Sequence, residues 1–148
     1  MGMFDGLNIS ASGLTAQRFR MDVVSSNIAN SDTTREKKVG GQWQPYQRKV
    51  VNLAPVQNSF QSVLDDSMGS SAGGGVQVAS VTADTTPFNE KYDPSDPDAD
   101  KNGYVKEPNV DPLKEMVDLM DANRSYEANV TVMNANKNML TKALDIGR

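Results

Sequence analysis

Residues 111–148 read DPLKEMVDLMDANRSYEANVTVMNANKNMLTKALDIGR, and this stretch decides the fold. Asp111-Pro112 is a helix start with a mechanism. An Asp carboxylate accepts from the free N–H groups of a first turn, and Pro at the first helical position gives up a donor that would go unpaired anyway. Gly147 marks the stop. Between them Met116, Leu119, Asn123, Tyr126, Val130, Met133, Lys137, Leu140 and Leu144 step by alternating threes and fours, an a/d heptad ladder. At about 1.5 Å per residue a helix over 112–145 is about 50 Å long, more than a compact domain of 148 residues needs. Asn123 and Lys137 interrupt the apolar seam, and polar residues there set register or partner number at some cost in stability. Asn129, Asn134, Asn136 and Asn138 each cost up to about 0.7 kcal/mol relative to Ala in a helix interior. The helix is marginal alone and needs a partner.

The first partner is at the other end of the chain. Over residues 5–30 Leu7, Leu14, Met21 and Ile28 recur every seven residues, Ala11 and Val24 lie on the same side, and there is no Pro. The polar run Asn27-Ile28-Ala29-Asn30-Ser31-Asp32-Thr33-Thr34 ends this helix, because Asn, Asp and Thr side chains compete for backbone hydrogen bonds. Residues 31–110 are rich in turn formers. Stretches 46–53 and 75–82 read as strands, the second through Val76, Val78 and Val81. Residues 67–75 (SMGSSAGGG) read as a flexible loop. Pro87, Pro94, Pro97 and Pro108 with many acidic side chains make 83–110 extended or turn structure. The expectation is an α+β chain in three segments. An N-terminal helix (1–30) and a long C-terminal helix (111–148) pack as a coiled coil, with a small β-rich, loop-rich middle (31–110).

Composition narrows the chemistry. The chain has no Cys and no His. That removes the usual zinc ligand set, thiol nucleophiles, disulfides and an imidazole base, and favours a structural or binding role over catalysis. Hydrophobic residues are 37% of the chain. Counted with Gly and without Tyr, they fall a little short of the globular norm of about 45 to 50%, so some apolar surface is expected to serve partners. No stretch is long and apolar enough for a membrane span, and Asp5, Arg18, Arg20 and Asp22 interrupt any signal-peptide core. The expectation is a chain soluble when made, with no membrane insertion and no cleaved leader. Residues 1–60 carry a net +3 and 61–148 a net −7 within a total of −4, so opposite halves can attract within or between copies.

Three local motifs invite chemistry. Asp98, Asp100, Asn102 and Gly103 match the opening of an EF-hand calcium loop. Position twelve is Asn109 instead of a bidentate Glu, and the prolines at 94, 97 and 108 deny the flanking helices. An acidic turn closed by Gly103 is the better reading, and no metal or other cofactor is expected. Gly73-Gly74-Gly75 lacks the Lys and Ser/Thr of a phosphate loop. Arg35, Lys37, Lys38, Arg48 and Lys49 with Trp43 and Tyr46 outline a basic aromatic surface, but in a chain of pI about 4.8 a nucleic-acid partner is not expected. Asp65 and Asp66 read as surface charges.

The residues themselves are familiar. Leu7-Asn8-Ile9-Ser10-Ala11-Ser12-Gly13-Leu14-Thr15-Ala16-Gln17, with the motif Ser25, Ser26, Asn27, Ile28, Ala29 and Asn30 after Met21-Asp22-Val23-Val24, resembles the N-terminal signature of the bacterial flagellar rod and hook family. The segments Tyr92-Asp93-Pro94-Ser95-Asp96-Pro97-Asp98-Ala99, Gly103-Tyr104-Val105, Pro108-Asn109-Val110, Glu115-Met116, Arg124-Ser125-Tyr126-Glu127-Ala128-Asn129 and Lys142-Ala143-Leu144-Asp145-Ile146-Gly147 are similar to its proximal-rod members. Ser31-Asp32-Thr33-Thr34-Arg35 stands where many rod and hook proteins have a Thr-Pro-Gly-Tyr-like turn, which fits the proximal-rod subgroup.

The resemblance implies a structural subunit of the basal-body rod and no enzyme. It implies export through the flagellar type III apparatus without a cleaved signal peptide, and assembly in the periplasm. The partners implied are proximal and distal rod subunits and the adaptor between rod and MS ring. Leu7, Leu14, Met21 and Ile28, against Met116, Leu119, Asn123, Tyr126, Val130, Met133, Leu140 and Leu144, are the candidate assembly seams. The alternative from the residues alone is a soluble coiled-coil adaptor that dimerises through its C-terminal helix.

Overall fold

The computed structural model describes residues 4–56 and 74–146. Residues 67–73 of the expected loop, Asp65, Asp66 and Gly147 lie outside them. The chain is α+β: α1 (Asp5–Ala29), β1 (Lys37–Val39), β2 (Gln42–Gln44), β3 (Lys49–Pro55), β4 (Val76–Ala83), β5 (Asn89–Tyr92), β6 (Tyr104–Glu107) and α2 (Pro112–Ile146). Both terminal helices form where the heptads place them. Asp111 Oδ1 accepts from the N–H groups of Leu113 (3.0 Å) and Lys114 (3.5 Å), the expected cap. α1 ends as its polar run demands. Asn30 donates from its backbone N–H (3.2 Å) and its side-chain amide (2.8 Å) to the Ser26 carbonyl, closing the last turn.

The strands form three two-stranded sheets, β1-β2, β3-β4 and β5-β6. β1 and β2 pair antiparallel with Val39 opposite Gln42, leaving Gly40 and Gly41 as a two-residue turn. Their φ values of 61° and 90° are the left-handed geometry of such a hairpin turn, open to Gly at little cost. β3 overlaps the stretch read as 46–53, starting three residues later and ending two later, and β4 lies one residue on from 75–82. Val56 N–H donates to the Gly75 carbonyl (2.8 Å) beyond one end of the pair and Asp84 N–H to the Arg48 carbonyl (2.7 Å) beyond the other, so the two run antiparallel. β5 pairs antiparallel with β6 inside the proline-rich segment, Tyr92 opposite Tyr104.

The chain divides into two compact units. The first comprises Met1–Arg20, Asn52–Ser80 and Asp121–Arg148. Among its described residues the buried side chains are small: Ser10, Ala16 and Ala122. The second comprises Met21–Val51 and Val81–Met120, and buries Val24, Tyr46, Val105, Val110, Pro108, Asn27 and Glu115.

Candidate functional site

In the first unit the helices meet through glycine. A Cβ on Gly6 would lie 3.0 Å from the Asn136 side-chain amide, and one on Gly13 would lie 3.1 Å from that of Asn129. The pairs are seven residues apart on each helix and run in opposite directions, so this stretch of α1 and α2 is antiparallel. A helical Gly costs about 1 kcal/mol relative to Ala; here it lets two backbones approach across a layer only an amide thick. Ser12 anchors β4 to α1, its hydroxyl accepting from Val76 N–H (3.0 Å) and donating to the Ile9 carbonyl (2.7 Å).

Within the subunit, the residues of closest approach lie one position before the a/d ladder. Asn129, Asn136 and the buried Ala122 and Glu115 occupy the inner face of α2, where the heptad count put Val130, Lys137, Asn123 and Met116. Leu119, Tyr126, Met133 and Leu140 belong to both counts and are half-buried, as is Val130. Met116 is 48% and Leu144 65% exposed, and Asn123 is exposed. On α1, Gly6, Gly13 and the buried Asn27 lie one residue before Leu7, Leu14 and Ile28, which together with Met21 are half-buried. A count that rewards large apolar side chains misses a layer built from Gly, Ala and amides.

In the second unit the end of α1, the start of β3 and the start of α2 meet at a buried polar hub. Asn27 and Glu115 are 0% exposed. The Asn27 amide nitrogen donates to Glu115 Oε2 (2.9 Å) and to the Lys49 carbonyl (2.9 Å). Its oxygen accepts from the Tyr46 hydroxyl (3.0 Å) and Lys49 N–H (3.0 Å). Both donors and both lone pairs of the amide are used, so its burial leaves no polar atom unpaired. Glu115 Oε1 accepts from Arg48 Nε at 2.6 Å, and the same guanidinium reaches Asp84 and Asp118 at 3.4 Å. Asn109, the residue that spoils the calcium motif, accepts from Arg48 N–H (2.8 Å) and donates to the Thr86 hydroxyl (2.9 Å). Burial opposes the charge on Arg48, but the hydrogen bond and charge of Glu115, and then those of Asp84, outweigh it and raise its pKa. The Asp84 carboxyl is held below the usual carboxylate range by the backbone N–H of Thr86, against some burial and with help from the Thr86 hydroxyl and Arg48.

The sequence motif points to Asn27 and the similar segment to Glu115, whereas nothing local in the sequence gives Arg48, Asn109 and Asp84 these roles. The available signal is an Arg just before the Val50-Val51 strand, with a Glu in the first turn of the long helix. The acidic turn closes as read: Gly103, at φ 80°, donates to the Asp100 carbonyl (2.8 Å). Asp98 is taken by Arg35 through two hydrogen bonds of 2.5 Å, the ion pair that also lowers its pKa. Of the basic aromatic stretch, Tyr46 and Arg48 go to the hub, Lys38 lies 5.7 Å over the exposed Trp43 ring, and Lys49 lies 5.1 Å over Tyr46. Among the described residues no cluster of acidic side chains could hold a metal ion, and no helix is long and apolar enough to cross a membrane.

One apolar surface is left uncovered in this unit. Leu113, Met116, Val117 and Met120 are 75%, 48%, 53% and 53% exposed. Their spacing of three, four and seven places them on one side of α2.

Both ends of the chain match known families. Residues 7–35 match the family of flagella basal body rod proteins, and 101–146 match the C-terminal family of flagellar basal body rod FlgEFG proteins. The chain is 61% identical to the flagellar basal-body rod protein FlgC of Bacillus subtilis, over the full length of both. It is 45% identical to that of Borreliella burgdorferi, covering 99% of this chain and 98% of the relative. It is 42% identical to that of Salmonella typhimurium, over the full length of both. The first match contains Asn27, and the second contains Glu115 and the uncovered stripe of α2.

Proposed function

The chain belongs to the family of flagellar basal-body rod proteins FlgC and is a structural, non-enzymatic subunit of that rod; on that premise we propose how it assembles. The inner faces of α1 and α2, with the hub, hold the subunit itself. The outer face of α2, beginning at Leu113, Met116, Val117 and Met120, receives neighbouring rod subunits. The observation that carries this reading is the stripe, four large apolar side chains in helical register that the second unit leaves in water. Covering such a side chain contributes about 1.5 to 3 kcal/mol, and a heterologous contact repeated without closure builds an open filament. Leu144, 65% exposed, and the half-buried Val130 share the heptad position of Met116 and extend the candidate seam toward the C-terminus. Torque transmission follows from a rigid tube of such contacts. Export through the type III apparatus without a cleaved leader, assembly in the periplasm, and contact with proximal and distal rod proteins and the MS-ring adaptor belong to the same reading.

Met116→Asp tests it. About half of the side chain is exposed, so the unfolding free energy of the isolated subunit changes by about 0.5 kcal/mol, the range of a surface substitution. Incorporation into basal bodies, and swimming, are lost. Normal swimming with the variant present in purified basal bodies would remove the stripe from the interface. A coiled-coil adaptor would instead stay in the soluble fraction of lysed cells.

A further inference from the structure

A cleft of about 500 Å³ opens in the second unit, walled by the β1-β2 hairpin on one side and the β5-β6 hairpin on the other. That volume lies within the range of small-ligand sites. Trp43 and Tyr104, 50% and 46% exposed, line it together with Gln44, Glu90 and Asn102; Lys38 lies over the Trp43 ring and Tyr92 packs edge-on against Tyr104 at 5.3 Å. Among the described residues no hydrogen-bond partner takes up the Gln44 or Asn102 amides, the Trp43 ring N–H or the Tyr104 hydroxyl. The shape is built in. The Gly40-Gly41 turn fixes one wall, and the Arg35–Asp98 pair and the Asp100 N–H bond to the Tyr104 carbonyl (2.8 Å) fix the floor.

We propose that this cleft binds an uncharged glycan chain. Sugar rings turn C–H faces to aromatic rings and offer hydroxyls that need donor and acceptor together, which planar amides and a carboxylate supply. The charges on the walls disfavour the other classes. Glu90 and Asp100 repel a phosphate backbone or an acidic peptide, while Asp98 is already paired with Arg35. A basic peptide would have to pass Lys106 on the wall, and the titration below separates it from a sugar. A protein hot spot is a dry, apolar pocket, whereas this wall is mostly polar and its hydrogen-bonding groups are unspent. The site is separate from the helix face assigned to assembly, and neither stands or falls with the other.

Trp43 is the single tryptophan of the chain, so its emission reports on the cleft directly. Titration of the full-length protein with chitotetraose should change that emission saturably, with a millimolar dissociation constant. Tyr104→Ala and Asn102→Ala should each weaken binding about tenfold, a change of about 1.4 kcal/mol. Asn102 lies in an exposed turn, so its variant keeps the fold and serves if Tyr104→Ala does not. No change in emission, or an equal response in Asn102→Ala, overturns the proposal. So does a response to tetralysine in place of the sugar, which assigns a basic peptide, or a shift on raising protein concentration alone, which assigns a second copy.

Discussion

At Arg48 a single side chain gathers three carboxylates from two directions, Glu115 at 2.6 Å and Asp84 and Asp118 at 3.4 Å. Glu115 is fully buried, so removing its partner leaves a charge with nowhere to go. Arg48→Met is expected to destabilise the subunit by about 3 to 5 kcal/mol, whereas Arg48→Met with Glu115→Met costs much less, because the uncompensated charge is gone. Denaturant unfolding of the two single variants and the double closes the cycle. Additive losses would mean that the two side chains are not coupled. None of this was legible in residues 46–49, where Tyr46, Arg48 and Lys49 look like a basic aromatic surface. What hides a charge in a core is partners from residues 27, 84, 109 and 115, and these come close only in three dimensions.

The elements were largely legible because their signals are local. Capping by Asp111, the polar stop at Asn30 and the apolar repeats each act within a turn or two. The inner face of the helices was not, since one residue of rotation separates Gly6, Gly13, Asn129 and Asn136 from the larger side chains a heptad count selects. Gly13→Val places branched carbon where a Cβ alone already lies 3.1 Å from the Asn129 amide. It should destabilise the first unit by about 1 to 3 kcal/mol of overpacking, with partial recovery in Gly13→Val/Asn129→Ala. If Gly13→Val is neutral in thermal melts followed by circular dichroism, the close approach is not what the glycine serves. The acidic turn gives a pH prediction. Asp98 titrates below its ordinary value because of Arg35, and Asp84 below its own mainly because of the Thr86 N–H. A carboxylate whose folded pKa is depressed contributes stability above its unfolded value of about 3.9 and loses it as pH falls through the folded value. Melting temperature should therefore hold from neutral pH to about 5 and fall below about 4, and Asp98→Asn should make that fall shallower. An identical acid profile in the variant would show the pair to be without weight.

Across the whole molecule the two units differ in what they bury. Among described residues the first buries only Ser10, Ala16 and Ala122, while the second buries Tyr46, three valines and a satisfied polar hub. The second should therefore outlast the first. In a denaturant series helical circular dichroism, which reports on both, should begin to fall before Trp43 emission, which reports on the second alone. Coincident transitions would make the subunit a single cooperative block.

The sequence by itself determined the element types, the α+β class and, through the terminal signatures, membership of a rod family, because helix periodicity, caps and turns are written in neighbouring residues. The missing Cys and His excluded thiol and imidazole chemistry for the same reason, since composition needs no fold. Only the tertiary structure decided which side of each helix faces inward, that Arg48 and Asn109 belong to a buried network rather than to a basic surface or a calcium loop, and that Leu113, Met116, Val117 and Met120 stay in water. Burial depends on what the rest of the chain brings to a surface, and that is a property of contacts between residues as far apart in sequence as Asn27 and Glu115.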